Sequence, residues 1–290
     1  MKNILLIGGS GFIGANIYKM LKNKYNFHIP ISKQLDICKL DDLITYIKLN
    51  EIDIVINTAV YNKRDINPDI ELYKNIKMTA NIENISNLVE KVLYFGSGAE
   101  YDKRFPIKDV SEELFGQKIP DNAYGLSKYN ANLIARNSKN IYNLRLFGVF
   151  GPYENWRSCF ISNICCKAIF ELPLSIRQDC EFDYMFIDDL VNIVDLFISS
   201  TPKHHDYNVV SGNTIRLTDI VEKIMKISGK ELPINILKNG HNLPYTASNI
   251  RLKNEFDVKI SLIDDSIAKL YNWYDLNRKI IDYDILKNTK

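Results

Sequence analysis

Short apolar segments alternate with longer amphipathic segments through the first half of the chain. Apolar runs of strand length occupy residues 2–7, 26–31, 52–57, 91–95 and 142–147. Apolar side chains at helical spacing predict helices over residues 39–49, 69–88 and 123–137. The run at 52–57 is continuous and β-branched, which is typical of a parallel strand covered on both faces. The pattern therefore predicts an α/β protein with a doubly wound parallel sheet.

The pattern becomes less regular after residue 152. It predicts helices at 159–171, 187–199 and 263–273 and strands at 174–176 and 207–210. Thr218 is the predicted N-cap of one further helix, and residues 284–290 are expected to fray. We therefore expect a first domain over residues 1–152, to which 183–210 return, and a smaller C-terminal α/β lobe over residues 153–290.

A glycine-rich turn separates the first strand from the helix that follows it. Its sequence is Gly8-Gly9-Ser10-Gly11-Phe12-Ile13-Gly14. In such a turn Gly8 lets the backbone reverse, Gly11 lets it approach a pyrophosphate, and Gly14 lets the helix pack close to the strand. The free N–H groups of the first helical turn then face the phosphates. The motif predicts a dinucleotide-binding domain over residues 1–152, and the alternative is a glycine turn that binds no ligand.

Composition and charge exclude several other classes of protein. The 290 residues are 46% hydrophobic and 25% charged, and the net charge is +2, as in an ordinary globular protein. The lysines are dispersed, so we expect no nucleic-acid or membrane partner. The chain enters a strand at once, which predicts no signal peptide and a cytoplasmic location. The five cysteines and four histidines lack the spacing of a disulfide framework or a metal site.

Two further segments carry groups suited to catalysis. Tyr124 and Lys128 are four residues apart on a predicted helix and share one face. A nearby ammonium stabilises a phenolate and lowers the tyrosine pKa, so Tyr124 is a candidate general acid/base. Ser97 follows a buried strand, at the edge where open α/β sheets bind ligands. The alternatives are a surface tyrosine–lysine pair and a serine that caps a turn.

Together these motifs resemble the extended short-chain dehydrogenase/reductases, the NAD-dependent epimerase/dehydratase family that acts on nucleotide sugars. Further matches are the segments 57–59, 145–152 and 183–190 and the residue Asn75. The resemblance implies a Rossmann fold with a C-terminal substrate-binding lobe. It also implies that Tyr124 is the general acid/base, that Lys128 is its partner and that Ser97 orients the substrate. It further implies a homodimer formed through the helices at 69–88 and 123–137.

The motifs and the resemblance together define an expected set of cofactor contacts. The set lies at the ends of the first, second, third and fifth predicted strands and on the two helices that carry Asn75 and Tyr124. It comprises Gly8, Ser10, Gly11, Phe12, Ile13, Gly14, Ser32, Lys33, Asp36, Ile37, Thr58, Ala59, Val60, Asn75, Tyr124, Lys128, Phe147 and Val149.

The residues after Ser97 distinguish among members of the family. The 4,6-dehydratases of the family place an aspartate and a glutamate at the positions of Gly98 and Ala99, and GDP-fucose synthase places a cysteine at the position of Ala99. Because neither residue here can move a proton, we expect plain reduction of a nucleotide-linked keto-sugar, a 4-keto-6-deoxy sugar. The alternatives are a nucleotide-sugar 4-epimerase with tightly bound NAD and a non-catalytic dinucleotide-binding regulator.

Two regions bear on the cofactor and the substrate. Lys33 follows the second strand, where NAD enzymes usually carry an acidic residue, and its charge favours NADPH over NAD. Asp36 and Ile37 resemble the adenine-contacting pair of sugar reductases. Phe182 and Asn239 stand where the family has arginines that bind the pyrophosphate. Three other cations are candidate replacements: Arg177, Lys238 and Arg251.

Overall fold

The computed structural model describes residues 1–61 and 67–289. The strands are β1 (Asn3–Ile7), β2 (Asn26–His28), β3 (Ile54–Asn57), β4 (Lys91–Ser97), β5 (Ile107–Val110), β6 (Ile141–Leu146), β7 (Gly148–Phe150), β8 (Leu174–Ile176), β9 (Glu181–Phe186), β10 (Asp206–Val209), β11 (Thr214–Arg216), β12 (Ile234–Ile236) and β13 (Tyr245–Ala247). The helices are α1 (Phe12–Leu21), α2 (Leu40–Leu49), α3 (Pro68–Ile85), α4 (Ala123–Asn137), α5 (Phe160–Ile169), α6 (Ile187–Ser199), α7 (Leu217–Ser228), α8 (Ile250–Glu255), α9 (Ile263–Leu276) and α10 (Tyr283–Lys287).

Six parallel strands form the main sheet, in the order β10-β6-β4-β3-β1-β2. Successive residues of β1 enter different clusters: Ile4 and Leu6 belong to one core, and Leu5 and Ile7 belong to the other. Because side chains alternate across a strand, both faces of the sheet are buried. The predicted α/β fold with a doubly wound parallel sheet is confirmed.

The second half of the chain contributes to this sheet and builds two smaller ones. β10 pairs with β6, and α6 packs against α1. β5, β9, β11 and β13 form a mixed sheet to which β7 is joined through β9. β8 and β12 form a separate parallel pair, and α5, α7 and α9 pack on one another. The loop between β4 and β5 thereby faces β13, a strand more than a hundred residues away.

Several predicted boundaries differ from the observed ones. β2 ends at His28, because Pro30 has no N–H to continue the ladder and residues 31–34 close a turn in which the Ile31 carbonyl accepts a bond from Gln34 N at 2.8 Å. The helix predicted over 69–88 begins at Pro68, capped by Asn67, and changes to a 3-10 turn at residues 86–88.

Two predictions near the C-terminus are wrong. Thr218 is not an N-cap: α7 starts at Leu217 after Arg216, and the Thr218 N–H donates instead to Asp179 at 3.2 Å. Residues 284–287 do not fray, because Asp282 caps α10 through Ile285 N at 3.0 Å and Leu286 is buried. Residue 290 lies outside the described residues.

None of the helices in the described part of the chain is long and apolar enough to cross a membrane.

Candidate active site

The glycine turn after β1 has the geometry of a phosphate cradle. Gly8 has φ +80°, and a Cβ there would lie 2.6 Å from Thr58 Oγ1. A Cβ on Gly14 would lie 2.5 Å from the Gly8 carbonyl oxygen, so α1 packs directly on the turn. Among the described residues outside its own chain neighbours, a Cβ on Gly11 would come within 4 Å of the Gly8 carbonyl oxygen alone, at 3.3 Å. Gly8 and Gly14 are therefore required by the fold, whereas Gly11 leaves the open side of the turn accessible.

The first turn of α1 presents free donors at this point. Gly11 is the N-cap, no side chain caps the helix, and the first turn contains no acidic residue. The N–H groups of Phe12, Ile13 and Gly14 have no intrahelical acceptor, because they belong to the first turn. These N–H donors and the dipole of the helix both favour the binding of an anion at this point. The neighbouring Ser10 and Gly11 are exposed, so the turn fits the pyrophosphate of a dinucleotide.

The segment after β3 forms the opposite side of the cradle. Thr58 Oγ1 donates to the Ile7 carbonyl at 2.9 Å, and Ala59 N donates to the Asn57 side chain at 3.1 Å. Asn75 on α3 is buried and bonds both the N–H and the carbonyl of Tyr61, at 2.8 and 2.9 Å. The amide of Asn75 thus shapes the loop that carries Thr58, Ala59 and the exposed Val60.

The remaining expected cofactor residues lie at the ends of other strands. Ser32 and Lys33 are exposed in the turn after β2. Asp36 is exposed and accepts a bond from Cys38 N at 2.9 Å, whereas Ile37 is buried in the core. Phe147, just before β7, and Val149, on β7, are half-buried.

Tyr124 and Lys128 share one face of α4, which Asn122 caps through Gly125 N at 2.8 Å. The Lys128 amino group is buried; it donates to the Phe95 carbonyl at 2.7 Å and lies 5.9 Å from the centre of the Tyr124 ring. Burial lowers the pKa of Lys128, but Tyr94, Tyr124 and Glu100 outweigh it, so the pKa lies above its ordinary value. Lys128 is therefore a fixed positive charge beside Tyr124.

Ser97 ends β4 and also caps the turn that follows. Its Oγ accepts a bond from Ala99 N at 3.2 Å, and its own N–H donates to Glu100 at 3.0 Å. Both interpretations of Ser97 are compatible, because a hydroxyl oxygen that accepts from Ala99 can still donate its proton. The two glycines beside it are sterically required: a Cβ on Gly96 would lie 2.3 Å from Glu100, and one on Gly98 2.6 Å from Phe147.

Both carboxylates of the segment after Ser97 are held in ion pairs. Glu100 is fully buried against Arg145, with 2.7 Å between the carboxylate and Arg145 Nε. Asp102 is bonded by Arg104 at 2.7 Å, and this bond lowers the pKa of Asp102. Ala99 is 1% exposed. The segment thus offers no carboxylate positioned for an elimination.

The sequence motifs missed Tyr245, which comes from β13. Its hydroxyl is hydrogen-bonded to the Ser97 side chain and lies 2.6 Å from where a Cβ on Gly98 would stand. Burial raises the pKa of Tyr245, so it is a neutral phenol. Its ring centre is 4.8 Å from that of Phe147 and 5.1 Å from that of Phe182. No local motif marks this tyrosine, and the pairing of β13 with β5 and β9 brings it to Ser97.

The structure also shows what stands at the positions of the expected arginines. Phe182 stacks on Tyr184, with ring centres 5.0 Å apart, and the Asn239 carbonyl accepts a bond from Gln178 at 3.1 Å. Arg251 is not available as a replacement, because Asp206 and Glu113 hold it at 2.8 and 2.7 Å. Arg177 and Lys238 follow the paired strands β8 and β12 and are exposed.

Fold and site together define an extended short-chain dehydrogenase/reductase. The model of the NAD dependent epimerase/dehydratase family matches residues 4–210. The chain belongs to this family, whose members are NAD(P)-dependent oxidoreductases, epimerases and dehydratases.

Known proteins of this kind resemble most of the chain at low identity. A trifunctional UDP-glucose 4,6-dehydratase/UDP-4-keto-6-deoxy-D-glucose 3,5-epimerase/UDP-4-keto-L-rhamnose-reductase from Arabidopsis thaliana is 21% identical over 95% of this chain, which spans 47% of that protein. A GDP-L-fucose synthetase from Naegleria fowleri bound to NADP has a TM-score of 0.82 at 15% identity, over 96% of this chain and 94% of that one. A GDP-mannoheptose C4 reductase from Campylobacter jejuni with NADP bound has a TM-score of 0.80 at 16% identity, over 94% and 98%. The two structures show the shared fold alone.

Proposed function

We propose that this protein reduces a nucleotide-linked keto-sugar, a 4-keto-6-deoxy sugar, with a nicotinamide dinucleotide. The observation that carries the proposal is the set of groups around Ser97. Lys128 donates to the Phe95 carbonyl on β4 and lies 5.9 Å from the centre of the Tyr124 ring, and Ser97 ends the same strand. Glu100 and Asp102, in contrast, are held in ion pairs. These groups suit proton transfer to a carbonyl oxygen and supply no base for an elimination.

Each of these side chains has a distinct part in the reduction. The glycine turn and the segment 58–60 would hold a bound dinucleotide, which would supply the hydride to the ketone carbon. Ser97 donates a hydrogen bond to the ketone oxygen and fixes its position. Tyr124 gives its phenolic proton to the same oxygen as negative charge develops there. Lys128 stabilises the resulting phenolate by its charge.

NADPH is the preferred form of the cofactor in this proposal. Lys33 is exposed in the turn after β2, the region that binds the adenosine ribose in this fold. A lysine there attracts the negative charge of a 2′-phosphate, whereas an acidic residue would repel it. Solved structures similar to this chain contain NADP or NAD, so the preference rests on Lys33.

We propose in addition that the protein forms a homodimer through α3 and α4. These two helices pack on each other within one chain. Three apolar side chains on α3 remain largely exposed: Ile70 at 46%, Tyr73 at 59% and Ile76 at 36%. They are three residues apart and share one face of the helix. Leu133 on α4 is 40% exposed. A second copy of the same surface would bury this stripe, and sedimentation equilibrium measures the mass that results.

The test of the function is oxidation of NADPH in the presence of nucleotide-linked 4-keto-6-deoxy sugars, followed by absorbance. The proposal expects one NADPH consumed for each ketone reduced. A 4-epimerase would instead return its hydride to the substrate, so it would interconvert sugars without net consumption of NADPH. A non-catalytic regulator would bind the dinucleotide and turn over no sugar.

A further inference from the structure

A cavity of about 200 Å³ opens beside Tyr245, between the loop after β4 and the C-terminal lobe. Its walls are mostly aromatic and aliphatic, with one amide and one ammonium. The residues that line it include Lys103, Phe105, Phe182, Asn242 and Tyr245. Among the described residues that line it, none is a carboxylate. The lining therefore carries one positive charge and, among the described residues, no carboxylate to pair with it.

Lys103 supplies that charge. Its amino group lies 4.4 Å from the centre of the Tyr245 ring. The residue as a whole is exposed, yet the atoms around the amino group desolvate it and lower the pKa of Lys103. Within residues 1–61 and 67–289, Lys103 forms no ion pair. The neighbouring Asp102 cannot compensate the charge, because it is already bonded by Arg104.

The position of Lys103 relative to Ser97 indicates which anion of a ligand Lys103 would bind. Tyr245 connects the two residues: Lys103 lies over its ring, and its hydroxyl interacts with Ser97. A ligand whose ketone is bonded by Ser97 would therefore extend along Tyr245 toward Lys103. In a nucleotide-linked sugar, the anion closest to the ring is the phosphate attached to it.

We propose that Lys103 binds the sugar-attached phosphate of the substrate inside this cavity. This inference rests on the proposed reduction of a nucleotide-linked keto-sugar. Phe182 forms an apolar wall of the same cavity, 5.1 Å from Tyr245 between ring centres. The atoms packed around the Lys103 amino group reduce its hydration, and reduced hydration strengthens an ion pair formed there.

Other nearby cations are less suited to this task. Lys108 is 3.1 Å from Glu181 and is therefore paired. Lys118 lies 3.6 Å from the centre of the Phe105 ring and does not line the cavity. Arg251 is held by carboxylates on another part of the surface. Lys103 thus combines a free charge with a place beside the reacting end of the site.

Calorimetric binding of nucleotides tests the inference without relying on turnover. The wild-type protein with NADPH is titrated with UDP, GDP, ADP, CDP and dTDP and with the matching monophosphates. A diphosphate carries the phosphate that Lys103 would bind, and a monophosphate lacks it. In Lys103→Gln, affinity for the preferred diphosphate should fall roughly tenfold to a hundredfold, the effect of one charge-assisted hydrogen bond. Affinity for the monophosphate should change little.

Two further variants control for other effects. Lys103→Arg should retain most of the diphosphate affinity, because it keeps the charge. Lys108→Gln removes a lysine five residues away that is already paired with Glu181, and it should bind every nucleotide as the wild type does. Equal diphosphate affinity in Lys103→Gln and wild type would overturn the role of Lys103, while reduction of keto-sugars by both would leave the proposed function intact. Failure of every diphosphate to bind the wild type would overturn both.

Discussion

Glu100 and Arg145 form a fully buried ion pair of 2.7 Å next to Ser97. Glu100 also accepts the Ser97 N–H at 3.0 Å, and Arg145 contacts Asp206 at 3.0 Å. The pair therefore ties the end of β4 to β6 and β10, the strands that carry Arg145 and Asp206. Ser97 is held in place by charges that lie behind it in the core.

Removal of the arginine should leave an uncompensated charge in the core. We expect Arg145→Met to lower the free energy of unfolding by about 3–5 kcal/mol, the usual result of breaking a buried pair. In the double variant Glu100→Gln/Arg145→Met the carboxylate is gone, so part of this loss should be recovered. Urea unfolding of the variants measures both effects. Additive losses in the double variant would show that the pair is not coupled.

Loss of the Tyr124 hydroxyl should separate chemistry from cofactor binding. We expect Tyr124→Phe to reduce kcat by about 10²–10⁴-fold, the usual contribution of a general acid. The ring remains on α4, so the Kd for NADPH should stay within a few-fold of the wild-type value. Steady-state kinetics and fluorescence titration give the two quantities. Retention of kcat in this variant would assign the proton donor to another group, and Tyr245 would be the next to test.

A methyl group on Gly11 should weaken dinucleotide binding without disturbing the fold. The new Cβ would lie 3.3 Å from one carbonyl oxygen, which a small backbone adjustment accommodates. It would project into the open side of the turn, so we expect Gly11→Ala to bind NADPH at least roughly tenfold more weakly, since 1.4 kcal/mol corresponds to this factor. Thermal unfolding of the variant without cofactor is the control. Unchanged NADPH affinity would place the pyrophosphate elsewhere.

The positive charge of Lys33 should favour binding of NADPH over NADH. We expect Lys33→Gln to reduce the preference for NADPH over NADH by roughly fivefold, as for one exposed ion pair. The decrease should appear in the Kd for NADPH alone, because NADH has no 2′-phosphate. Lys48→Gln, which removes an exposed lysine from α2, is the matched control. An equal effect of both substitutions would mean that only the net charge matters.

Glu154 should make stability depend on pH. Burial raises the pKa of Glu154 to about 7, and bonds from Ser162 and Cys159 lower it only in part. The folded protein keeps this proton up to about pH 7, whereas the unfolded chain releases it near pH 4.5. The unfolded state therefore binds fewer protons over this interval, and stability falls as pH rises.

Glu154→Gln removes this titration and keeps a polar partner for Ser162. Between pH 5 and pH 7 the wild type should lose at most about 1.4 kcal/mol per pH unit relative to the variant. Above pH 7 the difference should level off. Urea unfolding at pH 5, 6, 7 and 8 measures it, and a difference independent of pH would show that Glu154 is ionised in the folded protein.

Residue type and periodicity predicted the features that depend on residues close together in the sequence. The helix 123–137 has its predicted bounds, and the turn at Gly8 and the burial of β3 follow from residue type and periodicity. Tyr245 and Lys103 could not be predicted in the same way. They meet because β13 pairs with β5, and no periodicity or spacing records a contact between segments so far apart.

Glu100 illustrates a second limit. In the sequence it is one acidic residue after a strand, and the prediction of a plain reduction rested on Gly98 and Ala99. The structure shows that Glu100 is paired with Arg145 and bonded to Ser97, a role that depends on the neighbouring strand. Fold class follows from the chain's alternation of elements, whereas the surroundings of the catalytic groups follow from tertiary pairing.

The most direct measurement is the decay of NADPH absorbance with a panel of nucleotide-linked 4-keto-6-deoxy sugars, each generated in place by a 4,6-dehydratase. The account predicts decay with one nucleotide series, one NADPH consumed for each ketone reduced, and loss of this decay in Tyr124→Phe. Absence of decay with every sugar, in a protein that is purified with bound NAD and interconverts 4-epimers, would contradict it.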